Sequence, residues 1–516
     1  MTGGALVVRV LGVVVLVVST VLGASDPATA QSVAPTAASH PDPRGDHRAG
    51  AASRRARVPT AHRAVPPRPP PLRPVTMHAI APRVLEPGTP VEVTGTVTNT
   101  GEEDWGDVQV GLVTSSVPFT TPADLEAAAV AAERDPRAYI GDRVVDPGTF
   151  DDIGTIPIGG RASFALRVPF SSLRISGAQG VYWLGVQVNA NIVEGRATVA
   201  EERTFIPLLD RKGVPGQVRV ALLWPLTGGV PKGAEGYRND TLATEFAPGG
   251  RLQTITEMGA SSTGVPVSWV LDPALLAAAR DMANGYRLRP QQRVGPASVQ
   301  AGLAARWRDL AVGALRDAEL WALPYGDPDV ASLVHARLTA PLSRARREGS
   351  RVLDRLDLDH RAMLWPAAGL GDAAMARAGL GVGSEAALLS RDSVVTSGEP
   401  SRLSLPVGRS TLPTLVQEST RLRARVSPTR DQTVLTWRQE LLAVTALMAL
   451  EGGPDNRTAV VAPAREWWPD ERWHEAQFFS ALNVPWIDAV PASDVLFGAT
   501  PDRAVGESAT RTAQLR

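Results

Sequence analysis

The 516-residue sequence predicts a multidomain fold, in which an N-terminal immunoglobulin-like β-sandwich is followed by a (β/α) barrel-like α/β domain of seven or eight parallel strands. Three observations support this prediction. Residues 75–212 alternate apolar and polar positions, short continuous apolar runs recur across residues 213–495, and helical patterns separate most of those runs. Alternation is typical of antiparallel strands with one solvated face, whereas runs that are apolar at every position indicate strands buried on both faces.

The first 30 residues have the pattern of a signal peptide. Arg9 precedes an apolar run at residues 10–22, and the small residues at 28–30 supply a cleavage site before Gln31. We therefore expect the protein to be exported to an extracytoplasmic location, either the cell envelope or the medium. The apolar stretch 5–24 is also nearly long enough to span a bilayer, so membrane association through an uncleaved N-terminal segment is the alternative.

Residues 31–74 predict a disordered linker rich in proline and arginine. The segment holds ten prolines, eight arginines and only two acidic residues. Such a composition cannot bury enough apolar surface to offset the loss of conformational entropy on folding, so a stiff, extended segment is expected.

The predicted sandwich covers residues 75–212. "VEVTGTVTN" (91–99) alternates apolar and small polar residues, and "SFALRV" and "VYWLGVQV" repeat the pattern between Gly- and Pro-containing turns. One helix is expected within it, because Thr121 suits the N-cap position and Pro122 the first helical position. The alternating strands and the turn signals between them favour an immunoglobulin-like arrangement.

The predicted barrel-like domain covers residues 213–495, and residues 496–516 are either a tail or the start of a truncated further region. Strand–helix alternation over this length points to a (β/α) barrel or a close relative. The expected strands are 218–224, 267–271, 320–324, 362–366, 387–390, 412–416, 458–463 and 484–490, and the expected helices are 273–283, 298–317, 328–347, 372–379, 429–451 and 469–482.

Composition excludes several kinds of site. The chain has no cysteine, so disulfides, thiolate metal sites and cysteine nucleophiles are absent. Its net charge is zero, which gives the whole molecule no electrostatic attraction to nucleic acid. His335, His360 and His474 are far apart in the sequence and lack the spacing of a metal site, so neither a metal nor another cofactor is expected.

Acidic residues follow several of the predicted barrel strands. Asp272-Pro273 and Asp327-Pro328 each precede a helical pattern, and Asp329 lies two residues beyond Asp327. An Asp at the N-cap accepts hydrogen bonds from the free N–H groups of the first turn, and Pro suits the next position, so helix capping explains these acids. The alternative is that at least one of them also takes part in catalysis or ligand binding.

Two glutamates lie near the ends of the sixth and seventh predicted strands. Either could join Asp272 or Asp327 as the carboxylate pair of a glycosidase, in which one acid protonates the leaving oxygen and the other attacks the sugar or activates water. The candidate catalytic residues are therefore Asp272, Asp327, Asp329, Glu418 and Glu466.

Aromatic residues also gather where the predicted strands end. In a barrel these positions share one rim, where their rings could stack on a sugar or a peptide. The candidate ligand-binding residues are Trp224, Tyr325, Trp365, Trp467 and Trp468.

The segments "VLEPGTPVEVTGTVTNTGEEDW", "RVALLWPL", "ALPYGDPDVASLVH" and "WRQELLA" resemble an exported protein family of unknown function. Genes of that family commonly neighbour the gene of the MviN-type lipid II flippase in high-GC Gram-positive genomes. The resemblance covers residues 75–495 and implies a cell-envelope context with no assigned activity. Members of that family are longer and usually end in a transmembrane helix, so the chain is either truncated relative to a tethered form or genuinely secreted.

Two functions are compatible with these features. The first is an envelope protein that binds wall polysaccharide, peptidoglycan or a partner protein through the rim. The second is a glycoside-hydrolase-like enzyme that uses paired acids at strand ends. Carboxyls about 5–10 Å apart in one pocket would indicate the enzyme. Acids that bond to the backbone N–H groups of their own helices would indicate the binding protein.

Overall fold

The computed structural model describes residues 73–135, 139–210, 216–289, 292–395, 401–417, 432–453, 458–498 and 514–515. The predicted signal peptide (1–30), all of the predicted linker except its last two residues, and most of the predicted tail (496–516) lie outside the described residues. Glu418, one of the candidate catalytic acids, also lies outside them.

The first part of the chain forms two antiparallel sheets. One has the strand order β1-β2-β6, and the other has the order β4-β3-β7-β8 with β5 paired to β3. The elements are β1 (Val75–Ala81), β2 (Val91–Thr98), β3 (Trp105–Thr114), α1 (Pro122–Arg134), β4 (Asp142–Arg143), β5 (Phe150–Ile156), β6 (Arg161–Val168), β7 (Gly180–Ile192) and β8 (Gly195–Leu208).

The alternating sequence pattern explains how these strands are buried. In β2, Val91 and Val93 are fully buried while the residues between and after them are exposed, as expected of a strand with one face on a core. Thr121 caps α1 by accepting a hydrogen bond from Asp124 N, and Pro122 is the first helical residue, as predicted. The β-rich character of this part agrees with the prediction.

The second part of the chain alternates strands and helices. Its elements are β9 (Val218–Leu226), β10 (Lys232–Gly233), β11 (Gly236–Tyr237), α2 (Thr241–Glu245), α3 (Arg251–Ala260), β12 (Val267–Leu271), α4 (Pro273–Ala283), β13 (Tyr286–Leu288), β14 (Gln292–Val294), α5 (Val299–Leu315), β15 (Glu319–Ala322), α6 (Val330–His335), α7 (Thr339–Asp354), β16 (Arg361–Leu364), α8 (Ala373–Gly381), β17 (Ala386–Ser390), β18 (Val394–Val395), β19 (Arg402–Val407), β20 (Ser410–Gln417), α9 (Val434–Glu451), β21 (Thr458–Val461), α10 (Phe478–Ala481), β22 (Ile487–Ala489), α11 (Ala492–Phe497) and β23 (Gln514–Leu515).

Nine of these strands form one mixed sheet. Its order is β19-β20-β17-β16-β15-β12-β9-β21, and β22 also pairs with β9. All ladders are parallel except that between β19 and β20. Each of the eight predicted apolar runs overlaps one of the parallel strands, and every residue of β12 is buried, as expected for runs that are apolar at each position.

The prediction of a sandwich followed by a (β/α) barrel-like domain is wrong as a fold class, because the nine-stranded sheet is open and mixed. β20 bonds to β17 along one edge and to antiparallel β19 along the other, so it has no free edge with which to pair β21. Among the described residues no ladder joins β20 to β21. The two strands are linked instead by the Gln417 side chain, whose Nε2 donates to Ala462 O at 2.9 Å.

Helix α9 lies between the antiparallel sheets and the nine-stranded sheet. Its residues from Val434 to Ala449 are all buried, and it packs against β1, β7 and β8 as well as β9. The guanidinium of Arg438 donates to Ile80 O, and the amide of Gln439 donates to Phe205 O at 3.0 Å. These contacts join residues on both sides of the predicted domain boundary at 212–213. The described residues belong to one compact unit.

Within the described residues, no helix is both long enough and apolar enough to cross a bilayer.

Candidate functional site

Five neighbouring parallel strands end at one edge of the nine-stranded sheet. In spatial order these strands are β21, β9, β12, β15 and β16. The carboxyl ends of parallel strands meet at the same edge, which is where open α/β sheets commonly bind ligands. The residues that follow the five strands and interact there are Arg465, Thr227, Asp272, Asp327 and Trp365. We call this group the carboxyl-edge cluster.

Asp272 caps α4, as the sequence predicted. Its Oδ1 accepts hydrogen bonds from Ala274 N at 2.9 Å and from Gly326 N at 2.8 Å. The second bond fixes the turn after β15, where Gly326 and Asp327 both have positive φ angles. Burial raises the pKa of Asp272 to about 7, and the nearby charge of Asp327 adds to the increase. Its Oδ2 has no hydrogen-bond partner among the described residues.

Asp327 does not cap a helix, and the capping prediction is corrected here. Helix α6 begins three residues later, and its N-cap is Asp329, which accepts from Ser332 N at 3.0 Å. The carboxylate of Asp327 instead forms an ion pair with the guanidinium of Arg465. Burial raises the pKa of Asp327, although the positive charge of Arg465 acts in the opposite direction.

Arg465 joins the members of the carboxyl-edge cluster. Its guanidinium contacts Asp327, donates to Trp365 O and lies over the Trp365 ring at 4.3 Å from the ring centre. Its own carbonyl oxygen accepts from Arg251 Nη1 at 3.1 Å and from Thr227 Oγ1 at 3.3 Å. An arginine that meets a carboxylate and an aromatic face at once combines an ion pair with cation–π stacking.

Arg465, Arg251 and Thr227 were not predicted as site residues from the sequence. Arg465 lies directly before Glu466 in "APAREWW", after a predicted strand. The position after the strand correctly indicated a site residue, but the prediction named Glu466 instead of Arg465. Arg251 is the first residue of α3, and its side chain is only 2% exposed. No sequence pattern distinguishes it from a surface arginine.

The other candidate acids lie apart from the centre of this cluster. Glu466 is exposed, although its negative charge contributes to the raised pKa of Asp327 after the larger effect of burial. Asp329 is engaged with α6, and hydrogen bonds from Ser332 lower its pKa. The structure therefore brings Asp272 and Asp327 together, but it leaves Asp329 and Glu466 at the periphery.

Most of the candidate ligand-binding aromatic residues are not available to a ligand. Trp224 and Trp467 are fully buried, and their rings contact each other and Trp437 in the core. Trp365 is buried with Arg465 on its face. Continuous apolar runs bury strand-end aromatics as well as strand residues, which is why sequence position alone misplaced them. Tyr325 and Trp468 are half-buried.

Histidines and acids do not assemble a metal site in the part of the chain that the structure describes. His335 Nε2 lies 2.6 Å from Asp372 Oδ2 near the surface, and Asp372 also caps α8 by accepting from Met375 N at 2.8 Å.

An open cleft lies at the C-terminal end of α4, the helix whose N-terminus Asp272 caps. It has a volume of about 660 Å³ and lies among β10, β11, β13, β14 and the end of α4. Its charged lining residues are Lys232, Glu235, Asp281, Arg287 and Arg293, and its glycines are Gly233, Gly236, Gly285 and Gly295. We call it the β10–β14 cleft.

A second cavity adjoins the β10–β14 cleft. Its volume is about 190 Å³, and it shares Lys232 and Asp281 with the cleft. Lys232 Nζ lies 2.8 Å from Asp281 Oδ2, so an ion pair stands between the two spaces. Tyr325, which follows β15, lines the second cavity, and this residue connects the cleft to the loops of the carboxyl edge.

The carboxyl-edge cluster and the β10–β14 cleft differ in how their charged side chains are engaged and exposed. In the carboxyl-edge cluster the charges are paired or bonded to backbone groups, which holds loops in place. In the cleft the side chains of Lys232 and Asp281 are 45% and 40% exposed and can contact a ligand. A concave surface with a few polar groups is the usual form of a binding site.

Residues 4–356 match a family described as a family of unknown function (DUF6049). The chain belongs to this family. The resemblance noted from the sequence is thus correct in that the family has no assigned function. No curated protein matches the chain.

Three solved structures show low similarity to the chain. The sporulation control protein Spo0M from Bacillus subtilis is 15% identical, with 26% of this chain and 49% of that one covered and a TM-score of 0.16. A cycloisomaltooligosaccharide glucanotransferase from Paenibacillus sp. is 10% identical, with 62% and 48% covered and a TM-score of 0.19. The β-glucuronidase of Bacteroides uniformis is 10% identical, with 75% and 45% covered and a TM-score of 0.18. The chain thus spans about half the length of these proteins.

Proposed function

We propose that this protein is an exported cell-envelope protein that binds wall polysaccharide or peptidoglycan in the β10–β14 cleft. A partner protein of the envelope is the other ligand that such a cleft could take. Export is supported by the signal-peptide pattern that ends before Gln31. Binding is supported by the geometry of the cleft and by the intramolecular contacts of the candidate acids at the carboxyl edge.

The observation that carries the binding proposal is that three of the five candidate acids, Asp272, Asp327 and Asp329, are engaged by other groups of the same protein. Asp272 and Asp329 bond to backbone N–H groups of the helices that they cap. Asp327 is paired with Arg465. A glycosidase needs two carboxyls that reach the substrate, one to protonate the leaving oxygen and one to attack or to activate water. Acids that cap helices and pair with arginine favour a structural role, so we place binding before hydrolysis.

The β10–β14 cleft provides open space in which a ligand can bind, which the buried acids of the carboxyl edge do not. Its volume of about 660 Å³ lies within the range of small-molecule sites, and its open form would admit one segment of a polymer. Gly295 lines it, and a Cβ atom added there would meet no atom within 4 Å. A large side chain at this position would therefore occupy the cleft without displacing the backbone.

The binding proposal can be tested by filling the cleft. Purified full-length protein is mixed with insoluble cell-wall sacculi, and the bound fraction is measured by cosedimentation. We expect wild type to sediment with the walls and Gly295→Trp to lose most of its binding. Gly381→Trp is the matched control, because a Cβ at Gly381 also meets open space and this residue lies at the end of α8. Equal binding by Gly295→Trp and Gly381→Trp would remove the cleft from the proposal.

Hydrolysis is tested on the same material. Labelled wall glycans are incubated with wild type, Asp327→Asn and Glu466→Gln, and soluble products are separated by chromatography. We expect no product above the level of a heat-inactivated sample. Turnover by wild type that disappears in Asp327→Asn would replace the binding proposal with the hydrolase.

Export is tested by expressing the full chain in a Gram-positive host and determining the N-terminus of the product. We expect extracytoplasmic protein that begins at Gln31. Protein that retains Met1 or Thr2 in the membrane fraction would instead support an uncleaved anchor.

A further inference from the structure

Two arginines face each other in the β10–β14 cleft, and neither has an acidic partner among the residues that the structure describes. Arg287 of β13 and Arg293 of β14 are directly opposite in the antiparallel ladder, and both are exposed and line the cleft. Side chains at directly opposite positions lie on the same face about 5 Å apart, and like charges there destabilise the pair. The ladder therefore holds two positive charges together at a cost to its own stability.

Another antiparallel ladder of the molecule has opposite charges at directly opposite positions, which is the favourable arrangement. Glu92 and Arg167 are directly opposite in the β2–β6 ladder and form an ion pair. In the β10–β14 cleft, no described residue forms an ion pair with Arg287 or Arg293.

The acidic residues in and around the cleft bond to residues other than Arg287 and Arg293, which we call the arginine pair. Asp281 pairs with Lys232 at 2.8 Å, and Glu235 pairs with Arg289 at 3.3 Å. Asp240 accepts a hydrogen bond from the hydroxyl of Tyr286. The guanidinium groups of the arginine pair thus keep their donors for an external anion.

Positive charge also exceeds negative charge along the whole lining. The cleft presents three cationic side chains against the acids Glu235 and Asp281. The adjoining cavity adds Arg280, Arg308 and Arg355 against the further lining acid Glu348, and of these arginines Arg308 is paired with Asp309. The net charge of the full chain is zero, so the cleft and cavity form a local positive surface.

The chemistry of the two guanidinium groups selects the kind of anion. Each guanidinium presents a planar fork of N–H donors that binds two oxygens at once. One fork is enough for the two oxygens of a carboxylate, whereas a phosphoryl group is tetrahedral and offers oxygens to two forks from different directions. Its negative charge also offsets the repulsion within the arginine pair.

We propose that Arg287 and Arg293 form a subsite for the phosphoryl group of a phosphodiester polymer that lies along the β10–β14 cleft. The inference rests on the proposed function and names the chemical class of the ligand. A polymer is favoured over a lipid surface because the basic residues line a concave cleft and its adjoining cavity, which a flat membrane surface cannot enter.

The test uses full-length protein and calorimetric titration with a glycerol phosphate oligomer. We expect binding by wild type that weakens as salt is added, since salt screens the charges. Arg287→Gln and Arg293→Gln should each weaken binding roughly tenfold, as expected for the loss of charge-assisted hydrogen bonds. Arg167→Gln is the control, because this exposed strand arginine lies outside the cleft, and it should bind as wild type does.

A stability measurement separates this role from a structural one. Arg287→Gln removes the repulsion across the ladder, so the thermal midpoint of the free protein should stay the same or rise. A lower midpoint together with weaker binding would show that Arg287 supports the hairpin and would overturn the subsite.

Three further ligands complete the test. Tight binding of polyglutamate would overturn the phosphoryl assignment, and binding of phosphatidylglycerol vesicles without binding of the oligomer would replace the polymer with a membrane. Retained binding of the oligomer by the variant R287Q/R293Q would overturn the subsite itself. If an uncharged chitin oligosaccharide binds wild type and R287Q/R293Q equally while Gly295→Trp loses it, the proposed function stands and the phosphoryl subsite fails.

Discussion

Single residues at the carboxyl edge show how burial changes the role of a charged group. Asp327 and Arg465 are both largely buried and satisfy each other, and Asp272 holds the turn that presents Asp327. Removing one member of a buried ion pair leaves the other charge uncompensated, which costs more than the pair itself contributes.

We therefore predict that Arg465→Ala strongly lowers the stability of the folded protein. We expect it to lower the free energy of unfolding by about 3 kcal/mol, since Asp327 loses its partner and Trp365 loses the stacked guanidinium. Asp327→Asn combined with Arg465→Ala should recover part of that loss. Urea denaturation of the two single variants and the double variant gives the coupling energy. Additive effects would mean that the ion pair contributes nothing.

Glu202 of β8 is another buried acid, and its burial makes the stability of the protein depend on pH. Its carboxylate accepts a hydrogen bond from Met77 N, and burial raises its pKa from 4.5 to about 7. Because the folded-state pKa is the higher one, the neutral form favours folding. The stability that this group contributes is fully present below about pH 4.5 and is lost as the pH rises through about 7.

We therefore predict that Glu202→Gln is more stable than wild type at about pH 8, by on the order of 1–3 kcal/mol, and similar to wild type at about pH 4. Urea denaturation of Glu202→Gln and of wild type at several pH values measures the difference in their free energies of unfolding. Glu194→Gln, at an exposed position, is the control and should follow wild type at every pH. A stability difference that does not change with pH would show that folding does not raise the pKa of Glu202.

At the scale of elements, α9 is the helix on which both parts of the molecule depend. A helix that is apolar around its whole circumference is expected in a core rather than at a surface. "VLTWRQELLAVTALMAL" has this character, and its few polar side chains bond to backbone carbonyls such as Phe205 O and Ala476 O. The sequence predicted a helix over 429–451 as one of the helices of a barrel-like domain, and the structure places it in the core.

Val444→Ala tests the position of α9. Val444 is fully buried, so truncation should lower the free energy of unfolding by about 2 kcal/mol. Val299→Ala makes the same chemical change in α5, where Val299 is 73% exposed, and should cost close to nothing. Chemical denaturation of the two variants gives the comparison. Similar values for both would contradict the buried position of α9.

At the scale of the whole molecule, the two kinds of sheet are joined by α9 and by hydrogen bonds that cross from one to the other. We predict that they lose structure together. In hydrogen-exchange mass spectrometry, Val444→Ala should reduce amide protection in β7 and in β12 by the same free energy. Reduced protection in only one of these strands would show that the antiparallel sheets and the nine-stranded sheet open independently.

The sequence by itself determined most strands of the three larger sheets and part of the helix capping, but it did not predict β10, β11, β13 and β14, which line the cleft. Periodicity of two gave the antiparallel strands, continuous apolar runs gave the parallel ones, and Asp272 was recognised as a helix cap. These features depend on interactions between residues that are near each other in the chain, and such interactions follow directly from residue type and spacing.

Only the tertiary structure decided how the elements are arranged and which side chains meet. β19 occupies the edge of β20 that a closed barrel would need, α9 lies in the centre, and Arg465 comes from a distant loop to pair with Asp327. Each of these outcomes depends on contacts between residues far apart in the sequence. Strand pairing uses the same backbone groups in every residue, so the order of strands and the partner of a buried charge are set by packing and not by local pattern.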